Sequence, residues 1–233
     1  RGAPSAHEVW GNHVAILTGD LLFARASSTV ARLGTDAVLI HSETFERLCL
    51  GQLHETVGPG DGDPVAHYLQ VLADKTGSLI ATSARYGALF SGCDEATVRT
   101  MATYGEKIGL AFQLADDVID LTSSGGETGK TPGTDLRERV PTMPVLLLRA
   151  RAAAPDAAEG DVELVRLLDG DLSDDEALAS AVAALRGHPV VAETRALATA
   201  RAEEAVLALG TLPQGPVRDS LESFARSLVE RAA

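Results

Sequence analysis

Apolar residues recur along this chain at three- and four-residue intervals, the repeat that gathers them on one face of a helix. The first such segment covers residues 7–33 ("HEVWGNHVAILTGDLLFARASSTVARL") and stops at Gly34. A second runs from about 36 to 57, and "GPGDGDP" then breaks the pattern. Asp63-Pro64 supplies a capping side chain followed by a proline at the first helical turn, which predicts a helix start. The third helix is expected to run to about Phe90, with Val65, Leu69, Leu72, Thr76 and Leu79 on one face. "SGCDE" interrupts again, and a fourth helix is predicted from about 95 to 121 with Val98, Met101, Ile108, Ala111, Ala115 and Val118 as its buried stripe. A polar stretch, "TSSGGETGKTPGTD", precedes a restart near Thr142, and four more helical segments are expected after Ala154. No run alternates with the two-residue period of a strand, and no tandem repeat is visible. The expectation is an all-α chain forming one domain over 1–233.

Composition narrows this further. Hydrophobic residues make up 45% of the 233 positions but aromatics only 4%, so the core must be aliphatic, and small side chains favour close helix packing. With 33 acidic against 20 basic residues the net charge is −13, which excludes binding of nucleic acid by bulk charge. No apolar run reaches about 18 residues, so no membrane span is expected. Cys49 and Cys93 have neither metal-ligand spacing nor a disulfide framework; both are read as reduced thiols, which suits the cytoplasm.

The candidate chemistry lies in "QLADDVID", residues 113–120. Asp116 and Asp117 both share a helix face with Asp120, and Gln113 joins the row through Asp117. Like charges so placed raise one another's pKa and weaken the helix unless a cation completes them. Carboxylate oxygens are the ligands a hard divalent ion such as Mg²⁺ selects; the competing reading is an acidic, solvated helix end. Lys130 lies in the glycine-rich stretch that follows and can swing onto an oxyanion. In the third helix, "DKTGSL" places Lys75 and Thr76 beside Gly77, a glycine inside a helical pattern. Such a glycine marks a kink or a close backbone approach, and a kink would free a carbonyl near Thr76.

Taken in order, "DKTGSL", "FQLADDVIDL" and "GKTPGTDLRERVPTMPVL" resemble the trans-isoprenyl diphosphate (polyprenyl) synthases. The opening "RGAPSAHEVWGNHVAILTGDLLFA" resembles the stretch after that family's first Asp-rich motif, so this motif is expected upstream of Arg1. The resemblance implies the isoprenoid-synthase fold, an antiparallel helical bundle around a central cavity. It also implies a Mg²⁺-dependent transfer: an allylic diphosphate ionises and isopentenyl diphosphate attacks the cation. Asp116, Asp117 and Asp120 match the second Asp-rich motif, with Asp116 and Asp120 favoured as ligands. Lys75 and Lys130 match lysines that hold the allylic diphosphate; Thr76 and Gln113 match polar residues beside the nascent cation. Arg1 matches an arginine that contacts isopentenyl diphosphate, and Asp20 a supporting position. Relatives often carry Gly-Lys where this chain reads Arg139-Val140. A homodimer formed through the early helices is implied as well. The alternatives are a non-catalytic subunit of a heteromeric synthase, a class I terpene cyclase and a purely structural bundle.

Overall fold

The computed structural model describes residues 4–122 and 132–231. Among them every regular element is a helix. They are α1 (Ala6–Trp10), α2 (Asn12–Val30), α3 (Thr35–Val57), α4 (Pro64–Leu72), α5 (Ser78–Phe90), α6 (Glu95–Thr122), α7 (Thr134–Arg137), α8 (Met143–Ala152), α9 (Glu159–Asp169), α10 (Asp175–Arg186), α11 (Pro189–Ala208) and α12 (Pro216–Glu230). Short 3₁₀ turns follow α2 and α11. The predicted starts hold where capping chemistry is explicit. Asp63 accepts a hydrogen bond from Val65 N–H ahead of Pro64; the restart expected near Thr142 is α8, with Pro144 in its first turn and no side-chain cap from Thr142.

Two segments depart from the expected outline. The first apolar stretch is not one helix: Gly11 adopts φ 79°, so the chain breaks there and restarts as α2. A backbone at that φ favours glycine. The third helix is continuous but not uniform: residues Ala73–Gly77 form a π-turn between α4 and α5.

α6 is the axis of the bundle. α5 lies along one side of it and α11 along another, with α12 packed on α11. Val98, Ile108, Ala111, Ala115 and Val118 on α6 are buried, as the apolar stripe predicts, Met101 is half-buried, and Leu114, outside the predicted stripe, is wholly buried. Two aliphatic clusters share this helix. One joins α6 to α8, α9, α10 and α11 through Met143, Leu148, Leu164, Leu178, Leu185 and Val190; the other joins Tyr104 and Ile108 to Leu209, Ala225 and Leu228. Arg186 donates from Nε to the Leu121 carbonyl at 2.8 Å and so caps the C-terminal end of α6.

α2 behaves differently: none of its residues is buried, and Ile16, Leu17, Leu21 and Leu22 are all at least 60% exposed. Contrary to the expectation from apolar run length, the segment Asn12–Leu33 is long and apolar enough, by length and composition, to cross a membrane. Helices that pack on other protein surfaces pass the same test, and this one carries Asp20, Arg25 and Arg32 along its length.

Candidate active site

α6 runs antiparallel to the α4–α5 segment, and the two backbones touch. A methyl group on Gly105 would lie 2.6 Å from the Ala81 Cα, and one on Gly109 would lie 2.5 Å from the Gly77 Cα. Further along, the Tyr68 hydroxyl donates to the Asp117 carboxylate at 2.9 and 3.0 Å. Between the Gly77–Gly109 contact and the Tyr68–Asp117 contact, α6 advances eight residues while the facing chain advances nine. The extra residue is absorbed by the π-turn, as expected when one residue is inserted in a helical ladder. Gly77 therefore realises both readings made from the sequence, a helix irregularity and a close backbone approach.

The π-turn also answers the question of the freed carbonyl. Ser78 N–H bonds to the Ala73 carbonyl, five residues back, so the Asp74 carbonyl loses that donor. The Ser78 hydroxyl takes it over at 2.6 Å. The released acceptor belongs to Asp74, not Thr76, and it is satisfied inside the helix. Lys75 projects toward α3, where its ammonium pairs with Glu55 at 2.7 Å. Glu55 and Tyr68 line one small cavity of about 60 Å³, together with His67, Val71, Val140 and Pro141. The partner of Lys75 and the partner of Asp117 thus face the same space.

The three aspartates are not a solvated face; Asp116 and Asp120 are half-buried and Asp117 is 5% exposed. They are also not equivalent. Besides Tyr68, Asp117 accepts the backbone N–H of Met143, the first residue of α8, at 3.0 Å. Burial pushes its carboxyl up to about 7, against those two hydrogen bonds, and the charges of Asp135 and Asp116 act in the same direction as burial. Asp120 instead anchors the returning chain: its carbonyl accepts Gly133 N–H at 2.9 Å and its carboxylate accepts Asp135 N–H at 3.4 Å. The side chain of Asp116 makes no hydrogen bond among the described residues. Among those residues no three His, Cys, Asp or Glu side chains converge as a closed metal site. The motif therefore offers oxygen donors from one wall, with its middle aspartate committed to holding α4, α6 and α8 together.

Gln113 stands one turn from Gly109 and one turn from Asp117, so it occupies the seam between α6 and the π-turn. The π-turn carries Lys75 and Thr76, with the Lys75 ammonium turned to α3 rather than to α6, and α6 carries Gln113 and the aspartates. Arg1 and Lys130 lie outside the described residues. Sequence reasoning missed Glu55, Tyr68 and Asp135. Asp135 lies within "GKTPGTD", where nothing in the local pattern distinguishes it, and only three-dimensional proximity reveals the other two.

With this geometry in place, the chain can be set beside known proteins. The polyprenyl synthetase family model matches residues 1–185. The chain belongs to the polyprenyl synthetase family. It is 43% identical over 232 residues to nonaprenyl diphosphate synthase of Mycobacterium tuberculosis, covering 99% of this chain and 68% of that protein. It is 37% identical over 225 residues to dimethylallyltranstransferase of the same organism, covering 96% and 66%. Among solved structures, geranylgeranyl pyrophosphate synthase from Corynebacterium glutamicum, in complex with calcium and isoprenyl diphosphate, superposes with a TM-score of 0.86. That match is 38% identical and covers 98% of this chain and 70% of the other. The polyprenyl synthase from Caulobacter crescentus, also with calcium and isoprenyl diphosphate, gives the same TM-score at 30% identity. The chain thus spans about two thirds of the length of these relatives.

Proposed function

We propose that this chain is the larger part of a prenyltransferase that condenses an allylic diphosphate with isopentenyl diphosphate into a longer trans-polyprenyl diphosphate. The observation that carries the reading is the cavity faced by Glu55, the partner of Lys75, and by Tyr68, the partner of Asp117. The π-turn carries Lys75 and Thr76, and the facing helix carries Gln113 and ends in the aspartates of a motif that the family resemblance ties to diphosphate chemistry. A lysine ammonium supplies charge to an oxyanion, whereas a threonine hydroxyl and a glutamine amide supply dipoles for a developing cation.

Asp116 and Asp120 are the residues proposed to hold the metal, read as Mg²⁺. Their oxygen donors and their half-buried position fit a hard cation that keeps several waters. Bound there, the ion would neutralise charge on the departing diphosphate. Asp117 is assigned a different task, that of fixing α6 to α4 and α8 so that its neighbours are presented in one orientation. Lys75 is held by Glu55 until a diphosphate competes for its ammonium. Lys130 and Arg1 are proposed, from the family resemblance, to contact the allylic and isopentenyl diphosphates. The allylic C–O bond breaks, the isopentenyl double bond supplies the electron pair to the resulting cation, and a proton leaves the adduct. A homodimer in the cytoplasm completes the proposal.

The test is product analysis with radiolabelled isopentenyl diphosphate and a series of allylic primers, using the full-length protein with and without Mg²⁺. Label in extracted polyprenyl alcohols after dephosphorylation, dependent on both primer and metal, is expected. Absence of elongated product with every primer would refute the assignment.

A further inference from the structure

The π-turn is gripped from outside the seam by a cluster of charges that the reaction itself does not need. Asp74, its second residue, is 8% exposed. On one side the Arg47 Nε of α3 donates to the Asp74 carboxylate at 2.9 Å; on the other the Gln70 amide donates at 2.8 Å. The same guanidinium reaches across to Glu106 on α6 at 3.0 Å. Arg47 thus ties three elements: α3, the π-turn and α6. The grip coincides with backbone contacts on both sides. A methyl group on Gly51 of α3 would lie 2.8 Å from Lys75 N, and Gly109 of α6 meets Gly77 as described. The inserted residue is therefore clamped between two helices just where Lys75 and Thr76 leave the backbone.

A planar guanidinium suits this task because its donors point in fixed directions and one group can satisfy two carboxylates. The two pairs differ: Arg47 and Glu106 are 38% and 39% exposed, and an ion pair so wetted contributes little to folding, whereas the Asp74 side chain is only 11% exposed and loses a partner for its buried charge without Arg47. Stability therefore accounts for the bond to Asp74 but not for the reach to Glu106. What the bridge can fix is the register and tilt of the turn.

We infer that Arg47, acting through Asp74 and Glu106, is a positioning residue that sets the π-turn in the orientation from which Lys75 and Thr76 engage the allylic diphosphate. The inference rests on the proposed function for the identity of that ligand, and the experiment separates the two. Arg47→Gln, Glu106→Gln, Asp74→Asn and Lys75→Ala are made in the full-length protein. For each, KM is measured for both substrates, together with kcat, melting temperature and hydrogen exchange of the amides of residues 73–78. Glu106→Gln serves as the mild variant, since its exposed carboxylate can be neutralised without orphaning a buried group. Arg47→Gln and Glu106→Gln are expected to speed exchange in the π-turn by tenfold or more. They should raise KM for the allylic substrate by about tenfold and leave KM for isopentenyl diphosphate within twofold. Arg47→Lys, which keeps the charge but not the fork, should recover only part of the loss. A common fall in melting temperature with both KM values altered alike, or unchanged exchange in the turn, overturns the inference. If Lys75→Ala leaves the allylic KM unchanged, the substrate assignment falls; exchange then decides whether Arg47 sets the turn at all.

Discussion

Gly109 approaches Gly77 so closely that a single methyl group on Gly109 would sit 2.5 Å from the Gly77 Cα, whereas a methyl on Gly77 would sit 3.5 Å from the Glu106 carbonyl. The relationship is asymmetric, and so is the prediction. Gly109→Ala forces α6 away from the π-turn and should cost roughly 2–3 kcal/mol by overpacking, despite the better helix propensity of alanine. Gly77→Ala meets only ordinary contact and should be neutral or gain up to about 1 kcal/mol. Thermal unfolding followed by circular dichroism distinguishes them; equal effects would mean that the two helices are not in backbone contact.

That seam also marks how far the sequence could be read. The helix start at Pro64 followed from its capping residue, and the buried stripe of α6 from its period, because both are local properties of the chain. The π-turn was legible only as an oddity, a glycine in "DKTG", because its backbone contacts are with α6 and α3, which are remote in sequence. The unequal fates of Asp116, Asp117 and Asp120 were not legible at all. Spacing says that the three share a face; it does not say that Tyr68 and the Met143 N–H claim the middle one. Glu55 was invisible for the same reason, since its meaning comes from Lys75 reaching across to α3.

The middle aspartate should therefore fail differently from its neighbours. Asp117→Ala leaves the Tyr68 hydroxyl and the Met143 N–H without their acceptor and should cost roughly 2–3 kcal/mol of stability. Asp116→Ala, at a half-buried site with no hydrogen bond among the described residues, should cost less than about 1 kcal/mol. Combined with Asp120→Ala, it should abolish Mg²⁺-dependent turnover while helical content is retained. Melting temperatures and metal titration of the three variants check this; a destabilised Asp116→Ala beside an unaffected Asp117→Ala would reverse the assigned roles.

Arg139 adopts φ 58°, the single positive φ at a non-glycine position among the described residues. For an L side chain that region costs roughly 1–2 kcal/mol. Its long hydrogen bond to the Gly170 carbonyl, at 3.4 Å, returns little of this. Arg139→Gly is expected to raise stability by about 1 kcal/mol, the strain relieved minus the greater chain entropy of glycine. For a chain of this size that is about 2–4 °C in melting temperature. A lower melting temperature would show that the arginine side chain carries more than the backbone strain.

Lys130→Ala should raise the Kd of an allylic diphosphate, measured by calorimetry in the presence of Mg²⁺, by about tenfold, with isopentenyl diphosphate affected less than threefold. The expectation follows from its place in "GKTPG" and the resemblance that assigns it to the allylic group. Equal losses for both ligands would detach Lys130 from that role.

The apolar face of α2 yields the last prediction. Leu17 and Leu21 stand one turn apart and are 67% and 60% exposed, with Ile16 and Leu22 beside them and Phe45 of α3 42% exposed. Phe23 of α2 packs tilted against Phe45 at 4.2 Å between ring centroids and stacks on His41 at 5.5 Å, so α2 is seated on α3 by one edge and leaves its leucines outward. Clustered exposed apolar side chains of this kind mark interaction surfaces, and the homodimer proposed through the early helices would bury them. Leu17→Glu together with Leu21→Glu places two carboxylates per protomer inside that contact, where they cannot be hydrated or paired. Sedimentation velocity of the full-length protein should then report a monomer at concentrations where the unaltered protein is a dimer. The core clusters around α6 lie elsewhere, so the far-ultraviolet spectrum should be unchanged. A dimer that persists with both glutamates in place would remove α2 from the interface and leave its apolar face to be covered by something other than a second copy.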